Sequence, residues 1–224
     1  MDIPNPIVIR SKRKTISLEV KTDASLIIRA PLFVSEEKIY NLFRQKKSWI
    51  ERTVKKMLYR KNEIPRKMFS EGEDFFFLGK AYCLHVSENG QDEMRIEGDS
   101  LVVSRKYLDN PRPVFLQWYF RQAAKVFHER VLWFSSSARV ACRSIRISQG
   151  RTKWGSCAGQ GNLAFNWRLV MAPLHIIDYV VAHEVAHIHE RNHSRRFWKK
   201  VSELFPEYEV CKKWLRDNGH RLNI

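Results

Sequence analysis

A chain of 224 residues can bury a sizeable core and has room for one domain or two small ones. With 44% hydrophobic and 12% aromatic residues it is neither disordered nor fibrous, and no apolar run approaches the length of a membrane span. Forty Lys and Arg against 24 Asp and Glu give a net charge of +16, a surface that attracts polyanions, so nucleic acid or a nucleotide is a candidate partner and a membrane is not.

Four cysteines, Cys83, Cys142, Cys157 and Cys211, contain no CxxC pair and read as reduced thiols, which with the unremarkable N-terminus predicts a cytoplasmic location. Ile7 to Arg10, Thr15 to Val20 and Leu26 to Ala30 alternate apolar and polar residues and predict strands, with Lys21 to Ala24 as a turn. Ser35 is a candidate N-cap, and the spacing of Ile39, Phe43, Ile50 and Val54 predicts one helix running to about Tyr59. Its outer face carries Arg44, Lys46, Lys47, Arg52, Lys55 and Lys56 and reads as a solvated face.

After a linker-like Lys61 to Lys67, short apolar runs between Phe75 and Val103 predict a small antiparallel sheet. Pro113 to Phe134 is helical in period and rich in aromatics, and Ser144 to Ser148 is a strand. The stretch from Arg151 to Leu169 reads as a hairpin feeding an edge strand, to which an extended peptide could add. A helix then starts at Pro173 and is expected to run to Arg191, and Ser194 caps the first of two short helices that end the chain. The expected fold class is α+β, with residues 1–68 as strands plus a helix and 69–224 as the main body, or one continuous domain over 1–224.

The most informative stretch is His183-Glu184-Val185-Ala186-His187. Positions four apart on a helix share a face, so His183 and His187 can present two imidazoles to one metal ion. Glu184, one step round, can act as general base on a water activated there. A catalytic zinc commonly has three protein ligands, and His193 is the candidate third. A continuous helix would turn through about 240° between His187 and His193, so it must end first. Asn192 is expected to end it in a left-handed conformation.

Lys153-Trp154-Gly155-Ser156-Cys157, Asn166-Trp167-Arg168-Leu169, the run from Asp178 to Glu184, and Asn192-His193-Ser194 with Phe197-Trp198 resemble the YgjP-like metallopeptidase family. The resemblance spans essentially the whole chain and is most specific over residues 151 to 216. It implies a zincin-like fold, the HExxH helix packed on a small mixed or antiparallel sheet, with His183, His187 and His193 on Zn2+ and Glu184 as catalytic base. The wider class includes SprT-like proteases, and the family also includes UTP pyrophosphatases. The spacing from His187 to His193 equals that of metzincins, which have glycine where this chain has Glu190, so the turn must be made differently.

The function expected first is therefore zinc-dependent hydrolysis of peptide bonds in a polypeptide substrate. The alternatives are a metal-dependent UTP pyrophosphatase, for which Mg2+ would also be a candidate ion, and a nucleic-acid-binding module with a structural zinc. Candidate substrate-binding residues are Arg151, Lys153, Trp154, Asn166 and Arg168 before the helix, and Tyr179 one turn ahead of His183. Arg191, Arg195 and Arg196 complete the cations near the motif that could clamp phosphates.

Overall fold

The computed structural model describes residues 4–21, 23–63, 66–88, 93–150 and 152–224. The chain divides into two compact units, Met1–Pro65 and Arg66–Ile224. Among the described residues there are six α-helices and three small mixed sheets, so the fold is α+β. No described helix is long and apolar enough to cross a membrane.

The first unit is built on β3 (Leu26–Pro31), with β1 (Ile7–Ser11) parallel on one side and β2 (Ser17–Val20) antiparallel on the other. Ala24, at φ 68°, makes the tight turn into β3, closed by the Lys21 N–H on the Ser25 carbonyl at 2.9 Å. Ser35 accepts from the Lys38 N–H and starts α1 (Glu36–Gln45), as expected. Instead of continuing to Tyr59, that helix breaks at Lys46 and restarts as α2 (Lys47–Glu63).

The apolar stripe runs in phase through the break, so periodicity could not reveal it. The cause is tertiary: Ile39 of α1 packs with Ile28 and Ala30 at one end of β3, whereas Ile50 and Val54 of α2 pack with Leu26 and Ala24 at the other. The break lets each helix cover its own end of the strand.

In the second unit, β4 (Asp74–Phe77), β5 (Lys80–Ser87), β6 (Met94–Glu97) and β7 (Ser100–Ser104) form a sheet in the order β4-β5-β7-β6. It is mixed where antiparallel pairing was expected, because β7 lies parallel to β5 and takes the β6–β7 hairpin inward. The β4–β5 turn uses Leu78 at φ 50° and Gly79 at φ 82°. A Cβ on Gly79 would stand 2.8 Å from the Pro173 Cα, and the Leu78 N–H bonds to the Val170 carbonyl at 2.7 Å. This turn thus seats the segment that leads into the HExxH helix.

The long helix α3 (Pro111–Ala138) buries Phe115, Trp118, Tyr119, Ala123, Phe127, Val131 and Phe134 along one stripe, so these aromatics are core, as read from their spacing, whereas Trp133, expected to pack with them, is 53% exposed. Beyond it, β8 (Ser144–Ser148), β9 (Gly155–Ala158) and β10 (Asn162–Asn166) form a sheet in the order β8-β10-β9. The HExxH helix α4 (Leu174–His189) follows a short 3-10 segment over Trp167–Met171, and α5 (Arg195–Leu204) and α6 (Tyr208–Asn218) complete the unit. Helix α4 is apolar nearly all round, as a helix enclosed on most sides must be.

A half-buried ion pair ties α3 to α4. Arg130 donates from Nε to Asp178 Oδ1 at 2.5 Å and from Nη2 to Oδ2 at 3.0 Å, with side chains only 17% and 14% exposed. Burial raises the Asp178 pKa more than Arg130 lowers it, so the pair compensates a desolvation cost. Asp178→Ala is expected to destabilise the protein by about 2–4 kcal/mol in urea unfolding, because it strands the guanidinium. A double Arg130→Met/Asp178→Leu variant should recover part of that loss.

Candidate metal centre and active site

Helix α4 places His183 and His187 one turn apart on the same face. It ends at His189, two residues earlier than expected, with the Glu190 N–H closing on the Ala186 carbonyl at 3.0 Å. The exit is not the left-handed residue predicted at Asn192. Glu190 has φ −124°, an extended conformation open to any residue, and Asn192 is not among the positive-φ positions. A glycine is therefore unnecessary at position 190. The Ser194 N–H on the Asn192 carbonyl at 2.7 Å tightens the bend, and Ser194 then caps α5 through the Phe197 N–H at 3.3 Å.

This bend returns His193 to the helix face. Its Nε2 lies 3.1 Å from His183 Nε2 and 3.1 Å from His187 Nε2, and one ring nitrogen of each histidine lies within 4.8 Å of the others. Around a tetrahedral zinc with nitrogens at about 2.0–2.1 Å, neighbouring nitrogens stand roughly 3.3–3.4 Å apart, so the three rings have the spacing for one ion. The donor chemistry fits as well. Burial, with neighbouring His187 and His193, lowers the His183 pKa to about 3, and burial lowers that of His187, which keeps both imidazoles neutral. His187 Nδ1 sits 2.9 Å from the Glu190 carbonyl, which assigns the proton to Nδ1 and frees Nε2 for an ion.

Below the rings, α5 supplies an aromatic floor. The Phe197 ring lies 4.3–4.8 Å from all three imidazoles, and Trp198 stacks on His193 at 5.7 Å. This floor fixes the ring orientations by packing.

Glu184 is 6% exposed, and burial raises its pKa to about 7 against the opposing charge of Lys153. A carboxyl so poised can hold or release a proton near neutrality. Its close neighbour is Gly155, the first residue of β9, where a Cβ would stand 2.6 Å from both Glu184 Cγ and Oε1. Only glycine lets the strand approach the carboxylate this closely. Gly155→Ala should keep the metal but lower kcat about 10- to 100-fold by displacing the carboxylate, as read by steady-state kinetics alongside metal analysis.

The edge strand differs from the one expected. Residues 162–169 do not form it: β10 is the central strand, ending at Asn166, and β9 is the edge that packs against α4. The pocket over the histidines is lined by Lys153, Gly155, Ser156 and Cys157 on the strand side and by Glu184, Ile188 and Arg191 on the helix side. The small residues of β9 were not singled out as site residues; the run Gly-Ser-Cys-Ala-Gly was the available signal.

Of the expected substrate-binding residues, Lys153 lines this pocket. Trp154 instead packs over Gly219, where a Cβ would lie 2.7 Å from its ring. Asn166 is buried and its amide is engaged: Nδ2 donates to the Gly150 carbonyl at 2.5 Å and Oδ1 accepts from the Arg168 N–H at 3.1 Å, so it holds the loop before β9. Arg168 lies over the Trp167 ring at 4.5 Å and donates to Asn223 Oδ1 at 3.3 Å. Tyr179 is buried with its ring edge on His183, and burial pushes its hydroxyl up to about 12. None of these four lines the pocket. Arg151 lies outside the described residues.

Residues 14–218 match the family model described as YgjP-like, metallopeptidase domain. The chain belongs to this family. Its membership makes a divalent metal and hydrolysis of polypeptide the family-level expectation for the centre just described, and α4 carries the HExxH histidines in the α+β setting that the resemblance implied. Among solved structures, the crystal structure of the metallopeptidase zymogen of Pyrococcus abyssi abylysin is similar over 41% of this chain and 93% of its own, at 16% identity and a TM-score of 0.38. No curated protein matches the chain.

Proposed function

We propose that this YgjP-like protein is a zinc-dependent metallopeptidase in which His183, His187 and His193 hold the ion and Glu184 is the general base. The observation that carries the reading is the convergence of three imidazole nitrogens beside a buried carboxyl on one pocket wall. Among the described residues, the cluster that could hold an ion contains three histidines and no fourth ligand, which leaves a coordination position for chemistry and favours a catalytic over a structural zinc. His189 is directed instead to the Ala138 carbonyl at 3.3 Å, and Glu190 uses its backbone.

A zinc ion bound there would polarise the scissile carbonyl and lower the pKa of water from 15.7 to about 7. Glu184 accepts the proton of the attacking water and returns it to the leaving amine, a role suited to a carboxyl whose pKa burial has raised. Strand β9, which lines the same pocket and is an edge strand of the described sheet, can hold an extended substrate by adding a strand, with Gly155 keeping that strand close to Glu184. The aromatic floor under the histidines excludes water from the opposite side of the rings.

The test is a parallel assay of zinc-loaded protein on an unfolded polypeptide and on UTP, with chelated protein as control. Cleavage of the polypeptide, abolished by chelation and restored by zinc, is expected. Hydrolysis of UTP with no polypeptide cleavage would replace this reading with the pyrophosphatase one.

A further inference from the structure

The pocket over the histidines encloses about 600 Å3 and is bounded on its strand side by small residues, with Ile188 as its one large apolar side chain. Such a lining offers no deep apolar hole for a substrate side chain, and backbone pairing along β9 does not discriminate sequence. Charge is the remaining source of selectivity.

Among the described residues, two cations stand in the lining: Lys153, on the segment entering β9, and Arg191, just past the end of α4. Both side chains are exposed, and neither forms an ion pair or a side-chain hydrogen bond among the described residues. They stand on opposite walls of the pocket: Lys153 lies two residues before Gly155 on the strand side, and Arg191 lies two residues past His189 on the helix side. Among the described residues the single carboxyl in the lining is Glu184 itself, buried and assigned to proton transfer. An extended chain along β9, an edge strand of the described sheet, therefore runs past two exposed cations.

We infer that Lys153 and Arg191 select extended polypeptide substrates that carry Asp or Glu at positions flanking the scissile bond. The inference rests on the peptidase reading of the site. It separates these two residues from Arg168, whose guanidinium is held over Trp167 and beside Asn223, and from Arg195 and Arg196, which lie outside the pocket lining.

The experiment measures binding rather than turnover, so that it reports even if hydrolysis is absent. Zinc-loaded Glu184→Gln protein is titrated, by fluorescence anisotropy at low and high salt, with labelled peptides of equal length bearing Asp and Glu, Ser and Asn, or Lys at the central positions. The acidic peptide should bind roughly 5- to 10-fold more tightly than the neutral one at low salt, with the difference shrinking as salt rises. Lys153→Ala/Arg191→Ala should abolish the difference between the acidic and the neutral peptide. Lys153→Glu/Arg191→Glu should reverse the preference toward the basic peptide. Equal affinity for all three peptides, or an acidic preference that survives the double alanine change, would overturn the inference. Displacement of the acidic peptide by UTP at lower concentration than by unlabelled acidic peptide would also overturn it, by making a nucleotide the better occupant. Acidic preference in binding with no cleavage of any peptide by the wild-type protein would leave these contacts standing and reject the peptidase activity.

Discussion

Glu184→Gln should lower peptide hydrolysis by about 10²- to 10⁴-fold, the range associated with removing a positioned general base, while metal content stays at the wild-type level. Gln keeps the size of the side chain and the packing against Gly155 but cannot accept the proton. The same change has a second signature in the metal-free protein. Burial raises the folded-state pKa of Glu184 from 4.5 to about 7, so between these values the folded protein binds more protons than the unfolded chain. Wild-type stability must then fall as pH rises through that window, and the variant, with no proton to lose there, escapes the fall. The stability difference should shift by about 3 kcal/mol in favour of the variant between pH 4.5 and pH 7.5, measured by urea unfolding in chelator. His183 titrates in both proteins and cancels in the comparison. A variant that retains hydrolysis would show that Glu184 is not the base, and one whose stability tracks wild type at every pH would show that Glu184 is not ionised against burial.

Much of this site could be read from spacing because a helix converts sequence distance into direction. Four residues bring His187 under His183, and an N-capping Ser194 marks where the next helix begins. Spacing shows for His193 only that the helix must break before it; neither the residue at the break nor its conformation follows from composition. Asn192 has the composition of a left-handed cap, yet the chain leaves the helix at Glu190 in an extended conformation, held by backbone bonds available to any residue. The division of the predicted first helix into α1 and α2 was likewise invisible, because its apolar phase is unbroken and only packing on the two ends of β3 separates them.

The strand beside the site was hardest to read. Small residues carry little period, so Gly155 to Ala158 did not announce a strand, and the more apolar β10 next to it took the reading of edge strand although it lies at the centre of its sheet. Proximity in sequence also overstated which polar residues serve the pocket. Asn166 and Arg168 are a few residues from β9 but spend their polar atoms on the loop before it and on the C-terminal segment. Sequence gives no direction to a side chain on an irregular segment, and those residues flank one.

His193→Ala should reduce metal affinity by more than about 100-fold, exceeding the 10–100-fold typical of losing a group that only supports a ligand. His183 and His187 are prearranged by α4, but two nitrogens one helical turn apart leave half of a tetrahedral ion unheld. The third comes from the bend, where Ser194 and Phe197 fix the chain around His193. Because that bend uses the Glu190 backbone and a non-left-handed Asn192, both Glu190→Ala and Asn192→Ala should retain about one ion per chain. Wild-type protein at metal about 100-fold above its dissociation constant should gain about 2.7 kcal/mol over the chelated form, or roughly 5–11 °C in melting temperature for a chain of this size. In His193→Ala that gain should fall to about 0.4 kcal/mol or less, leaving a melting temperature within about 2 °C of the chelated form. Elemental analysis and scanning calorimetry on the same samples decide the matter. Full metal content in His193→Ala would remove it from the ligand set, and metal lost from Asn192→Ala would restore the left-handed turn that the backbone here makes unnecessary.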